Sequence, residues 1–205
     1  MSARAPAVQK PYHHGALREA LLEQAFRDLE TLGLEGISLR GLAEETGVSK
    51  TAPYRHFTDK RDLLVTLAAD GFRLLAEALE VVMPPGEGAP AGRSGLESLR
   101  ALFRSYMDFA RARPALYRLM ISRLGFELHS EACRLNSDRA LSCLVRAVQA
   151  AQACGWKQGH DQTAVVLSLW ATVHGWATLL IDDLLPPGIS LEGDAWLNAA
   201  QVMLE

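Results

Sequence analysis

Apolar residues in this chain recur every three or four positions and almost never every second one, which is the period of the α-helix. From about Leu17 to Leu34 the stripe is Leu17, Leu21, Leu22, Ala25, Phe26, Leu29 and Leu32, with Gly33 and Gly36 placed to end the helix. A short helix then opens at Ser38, with Leu39, Leu42 and Ala43 on its buried side. Ser38 can accept one of the N–H groups that a helix start leaves unpaired, and Gly47 stands where a left-handed residue commonly ends a helix. A second short helix follows, with Ser49 as its cap and Lys50, Thr51, Tyr54, Arg55 and His56 along it. Asp59 can cap a long helix to about Val82, with Leu63, Leu64, Leu67, Ala68, Phe72, Leu75 and Leu79 as its stripe. Pro84-Pro85-Gly86 stops it.

Residues 84–95 hold three Pro and four Gly and read as an exposed loop. Further helices are expected from about Leu96 to Arg111, Ala115 to Arg123, Ser130 to Ala153, Asp161 to Leu184 and Asp194 to Leu204. The fold class is all-α, with about nine helices and no strand.

From Gln162 to Ile181 there are twenty residues without a charged side chain. That is long enough to cross a membrane. However, Ser168, Thr172, His174, Gly175 and Thr178 interrupt it, and its flanks are Asp161, Asp182 and Asp183 rather than Lys or Arg. The better reading is a helix buried on nearly all sides, one face on its own core and another on a second copy of the chain. Val166, Trp170, Val173, Trp176 and Leu180, with Trp196 and Leu197 of the last helix, are the candidate dimer residues.

Composition fits an ordinary globular protein: 49% of the 205 residues are hydrophobic and 22% charged. The net charge of −3 conceals an uneven distribution. Lys50–Arg61 holds four basic side chains against one acid, so any nucleic-acid footprint is a small local patch. Three cysteines without short spacing, Cys133, Cys143 and Cys154, argue for a reducing compartment. The first residues lack the apolar core of a signal peptide, so the cytoplasm is expected.

Helix, Gly-containing turn and second helix at this spacing form a helix-turn-helix. The order Tyr54-Arg55-His56-Phe57-Thr58-Asp59-Lys60-Arg61-Asp62-Leu63-Leu64 makes residues 13 to 79 resemble the DNA-binding domain of the TetR family of bacterial regulators. Leu169-Trp170-Ala171-Thr172-Val173-His174-Gly175 is similar to a subgroup of that family with a Trp…His-Gly motif. Pro53 departs from the pattern, standing where many members have Leu before the Tyr.

Residues 1–12, rich in small residues and Pro, read as a flexible arm, and the resemblance implies a DNA-binding domain over 13–58 and a regulatory and dimerisation domain over 59–205. It implies a homodimeric repressor on a palindromic double-stranded operator, released by a small-molecule effector, with no membrane partner. Tyr54 and Lys60 are the expected phosphate contacts. Lys50, Thr51, Arg55 and, by family position, Arg40 are candidates for base edges, Ser49 is a further DNA-binding candidate, and His56 either donates to a phosphate or caps. Phe103, Tyr106, Met107, Tyr117, Met120 and Met83 are candidate pocket residues on the central helices, with Trp170 and His174 beside them. Met and aromatic residues at this spacing also suit a plain core. His174 is either a structural hydrogen-bond partner or a polar anchor in the pocket.

No metal or cofactor is expected. His13 with His14, and His129 with Cys133, make pairs without the further ligands a zinc site needs. Two other classes are weaker. An enzyme would need a catalytic motif, and none of nucleophile-elbow, phosphate-loop or HExxH type occurs. A dimerising protein that ignores DNA leaves the basic patch unexplained.

Overall fold

The computed structural model describes residues 14–84, 86, 94–122 and 130–188. The expected arm, much of the 84–95 loop, His13, His129 and the last helix with Trp196 and Leu197 lie outside the described residues. Within them the regular structure is entirely helical: α1 His14–Gly36, α2 Leu39–Glu45, a single 3₁₀ turn Pro53–Arg55, α3 Lys60–Val82, α4 Gly95–Ala112, α5 Pro114–Ile121, α6 Glu131–Ala153 and α7 Gln162–Ile181. Two compact units divide the chain, 1–64 and 65–205, with the boundary inside α3.

The first unit is built on short-range chemistry. The Gly33 backbone, at φ 70°, breaks the helical path of α1 three residues before its end. Ser38 caps α2: its hydroxyl accepts the Gly41 N–H at 3.0 Å. Gly47, at φ 70°, ends α2, and the Val48 N–H returns to the Ala43 carbonyl at 2.9 Å. Leu21, Ala25, Leu29, Ile37, Leu42 and Phe57 are buried together as its core. The guanidinium of Arg18 lies over the Phe57 ring, 5.6 Å from its centre.

In the second unit α4 packs against α6 and α7, and α6 against α7. The α4–α6 approach is close because Gly95 lacks a side chain. A Cβ there would fall 2.3 Å from the Ala151 backbone nitrogen. Ser94 and Glu97 form a reciprocal cap at the same end of α4. Ser130 and Asp161 cap α6 and α7 through the N–H groups of Cys133, at 3.1 Å, and Ala164, at 2.8 Å. Arg118 of α5 binds Asp182 at 2.6 Å and also donates to the Ile181 carbonyl, which ties α5 to the end of α7.

Helix α7 is long and apolar enough to cross a membrane by length and composition alone. It buries Val165, Val166, Leu169, Val173 and Ala177 within the chain. Its exposed positions include Ala164, Leu167, Ser168, Ala171 and Gly175, one stripe at helical spacing. This corrects the expected interface: Val166 (6% exposed) and Val173 (5%) are covered by the chain itself and have no area left for a partner. Trp176 and Leu180 are half-buried, and Trp170 is exposed.

Candidate nucleic-acid interface and ligand cavity

The second short helix of the motif is the 3₁₀ turn, and Pro53 explains why. An α-helix opening at Ser49 needs the residue-53 N–H to reach the Ser49 carbonyl, and proline has none. The chain instead closes tighter turns: the Ala52 N–H donates to Ser49 O at 2.8 Å, Arg55 to Ala52 O at 3.1 Å and His56 to Pro53 O at 2.9 Å. Pro53 supplies the first residue of the 3₁₀ turn, where its fixed φ suits the start. Ser49 is not the expected side-chain cap, since Ala52 occupies that position without a side-chain bond. The Ser49 hydroxyl lies 3.2 Å from that of Thr51.

The turn separates its polar and apolar residues. Ala52, Pro53 and Phe57 are buried, while Ser49, Lys50, Thr51, Tyr54 and Arg55 are exposed. Tyr54 is 49% exposed, unusual for a large aromatic side chain. Arg40 on α2 is exposed too, and His56 is half-buried. Lys50 pairs with Glu44 at 2.9 Å, but both side chains are mostly exposed, so the pair is weak and exchangeable. Lys60 lies in the first turn of α3, its amine 3.4 Å from the Glu35 carbonyl. Asp59 caps this helix by accepting the Asp62 N–H at 2.8 Å.

The second unit encloses a cavity of about 520 Å³. Of the expected pocket residues, Phe103, Tyr106, Met120, Trp170 and His174 line it. Met107 and Tyr117 are fully buried and stand behind the wall, as does Met83. The periodicity had placed Phe72, Leu75 and Leu79 of α3 in an ordinary core, and they too line the cavity, as do Ala140, Leu141 and Leu144 of α6. Apolar spacing alone does not distinguish a side chain facing a neighbour from one facing a void.

One polar cluster stands in this wall. The Tyr106 hydroxyl donates to that of Tyr117 at 3.1 Å. His174 Nδ1 is 3.1 Å from both hydroxyls. The Trp170 ring meets His174 edge-on, 5.0 Å between centres. Burial holds the imidazole to a pKa of about 4 and lifts the Tyr117 phenol to about 12. At neutral pH the cluster is therefore uncharged. His174 is at once a structural hydrogen-bond partner and a cavity-facing side chain. Among the described residues no group of three or more His, Cys, Asp or Glu could hold a metal ion.

Two family profiles cover most of the chain. One, described as bacterial regulatory proteins of the tetR family, matches residues 21–67. The other, described as the tetracyclin repressor-like C-terminal domain, matches residues 99–200. The tetracycline repressor protein class C of Escherichia coli is 47% identical over 51 residues, 25% of this chain and 23% of that protein. The HTH-type transcriptional repressor AcnR of Corynebacterium glutamicum is 39% identical over 62 residues, 30% of this chain. The aligned stretches thus span about a quarter to a third of these curated relatives, 23% and 33% of their lengths.

Among solved structures, a protein of unknown function from Rhodococcus sp. RHA1 is 34% identical, with a TM-score of 0.77 over 96% of this chain and 97% of that one. AibR, solved with isovaleryl coenzyme A and operator DNA, shares the fold at 22% identity and a TM-score of 0.65, over 92% of this chain and 97% of that one. With the helix-turn-helix residues displayed as described and both profiles matched, the chain belongs to the TetR family of bacterial regulatory proteins.

Proposed function

We propose that this protein is a ligand-responsive transcriptional repressor that binds a palindromic operator as a homodimer and leaves it when a small molecule fills the cavity. The observation that carries the reading is the exposed run Ser49, Lys50, Thr51, Tyr54 and Arg55, held out on a turn whose Ala52, Pro53 and Phe57 are buried. Such side chains donate to phosphates and base edges. The family model for tetR-type regulatory proteins covers this same part of the chain, residues 21–67.

In this reading Tyr54 and Lys60 grip phosphates, while Lys50, Thr51, Arg55 and Arg40 work nearer the bases, with Ser49 and His56 beside them. The dimer forms through the exposed stripe of α7, with Leu167 (53% exposed) and Trp170 (41%) as its apolar anchors. Trp170, His174 and Gly175 support a reading of the chain as one of the Trp…His-Gly subgroup. The protein works in the cytoplasm, on the nucleoid when bound.

Helix α3 supplies the link. It starts at Lys60, and its Phe72, Leu75 and Leu79 line the cavity. A ligand that favours one setting of α3 shifts the population of the DNA-competent state by its difference in affinity for the two. Half-sites lie one DNA turn apart, ~34–36 Å, so a small tilt prevents simultaneous docking. Gel shifts over genomic fragments test the reading. A preferred fragment, lost steeply as salt rises, is expected. Equal retention of all fragments at every salt concentration would refute it.

A further inference from the structure

The hydrogen-bond chain in the cavity wall ends on a proton that the cluster cannot use. The Tyr106 hydroxyl donates to that of Tyr117 at 3.1 Å. Tyr117 is fully buried and stands behind the wall, so its own proton needs an acceptor inside the cluster. His174 Nδ1, 3.1 Å away, is that acceptor. Burial keeps the imidazole neutral, with a pKa of about 4. A neutral imidazole carries one proton, and with Nδ1 accepting, that proton sits on Nε2.

The nearest polar atom to Nε2–H in the cluster is the Tyr106 oxygen, and it is wrongly placed to receive the proton. That oxygen lies 3.2 Å from Nε2 and 3.1 Å from Nδ1. The two N–H directions diverge from the ring, so an oxygen almost equidistant from both nitrogens lies on neither axis. Hydrogen bonds weaken steeply when donor and acceptor are so misaligned. The Nε2–H is thus a spare donor on a residue that lines the cavity. Two other polar groups of the wall spend their protons elsewhere: Ser137 donates to the Arg134 carbonyl at 2.9 Å, and the Cys133 thiol points to the Val65 carbonyl at 3.8 Å. Phe72, Leu75, Phe103, Met120 and Leu144 supply apolar wall around them. In such a cavity the few placed polar groups decide which molecules are held and how they are oriented.

We infer that the cavity selects an apolar molecule carrying a hydrogen-bond acceptor of carbonyl type, as in a ketone, ester or amide, and seats that oxygen on the Nε2–H of His174. The inference rests on the ligand-responsive reading for its biological purpose. The binding chemistry stands on the geometry of the cluster.

Two probes of matched shape test it by equilibrium dialysis on the full chain: 2-acetylnaphthalene and 2-isopropenylnaphthalene, in which a CH₂ group replaces the ketone oxygen. Each is measured on the parent and on the double variant Tyr106→Phe, His174→Phe. Both changes are needed, because His174→Phe alone lets Tyr117 donate back to Tyr106 and frees the Tyr106 proton on the same wall. Dividing the parent's ketone-to-alkene affinity ratio by that of the variant cancels the difference in hydration between the probes. The quotient is expected to be about ten, the value of one hydrogen bond. A quotient near one overturns the inference, since the variant keeps Trp170 and every other donor that could hold the ketone. If the variant does not fold, NMR of the parent with ¹⁵N-labelled histidine decides. In the histidine that stays neutral down to about pH 4, the N–H proton is expected further downfield with the ketone bound than with the alkene. The same position with both probes, or no binding of either, also overturns the inference. A ketone that binds as expected yet leaves the gel shift untouched counts against ligand release of DNA and leaves the ligand class standing.

Discussion

The Tyr106 hydroxyl lies within hydrogen-bond distance of both ring nitrogens of His174, at 3.1 and 3.2 Å. A protonated imidazole has no acceptor nitrogen left for the Tyr117 hydroxyl, and burial disfavours its charge as well. With His174 held to about 4 in the fold, against an ordinary 6.5, the unfolded chain binds the extra proton first as pH falls. Stability from this group is complete above pH 6.5, declines between 6.5 and 4, and levels off below. The loss is of order 3 kcal/mol. Urea unfolding at pH 7.5 and 4.5 checks it: His174→Gln should lose roughly 2–3 kcal/mol less than the parent on acidification. Equal losses would assign the acid sensitivity to other groups.

Gly95→Ala tests the helix crossing. The new Cβ would stand 2.3 Å from the Ala151 backbone nitrogen, and backbone cannot rotate away as a side chain can. Overpacking of this kind costs about 1–3 kcal/mol, so the urea midpoint should fall clearly. Gly175→Ala, with nothing within 4 Å of the added carbon, is the control and should be neutral or slightly stabilising in a monomer.

Much of the reading tip was legible in the sequence because it depends on residues close together in the chain. Ser38, Gly47 and Asp59 all do what their positions announced, since caps and turns need only three or four residues. Pro53 was visibly the exception, and the missing N–H converts an expected helix into one 3₁₀ turn. The face of α7 was not legible. That helix is apolar on every side, so its pattern has no direction, and only packing shows that Val166 and Val173 turn inward while Leu167 and Ala171 turn out. The cavity was half-legible for a related reason. His174 stood out as a polar group in an apolar setting and Tyr106 as one of several aromatic candidates, whereas Phe72 and Leu75 looked like any core stripe.

In the proposed dimer, Leu167→Asp should leave a monomer. Leu167 is 53% exposed in the single chain, so a charge there costs the fold little, but it would be buried without a partner if α7 packs on a second copy. Sedimentation velocity reads the outcome. A variant that stays dimeric, with the parent's concentration dependence, would place the interface elsewhere.

Lys50→Ala should weaken binding to the specific site by about 1–3 kcal/mol and relax the preference at the base it faces. Its bond to Glu44 joins two exposed side chains, so folding stability should move by less than about 0.5 kcal/mol. Unchanged affinity and unchanged base preference would remove Lys50 from the interface.

The central claim is that the exposed turn around Tyr54 reads a specific DNA site, two copies at a time. Footprinting on the genomic fragment retained most tightly tests it most directly. The expected result is a protected palindrome with half-sites one helical turn apart, lost for Tyr54→Ala while the variant keeps the parent's circular dichroism and urea midpoint. Protection without symmetry, or protection that survives Tyr54→Ala undiminished, would contradict it.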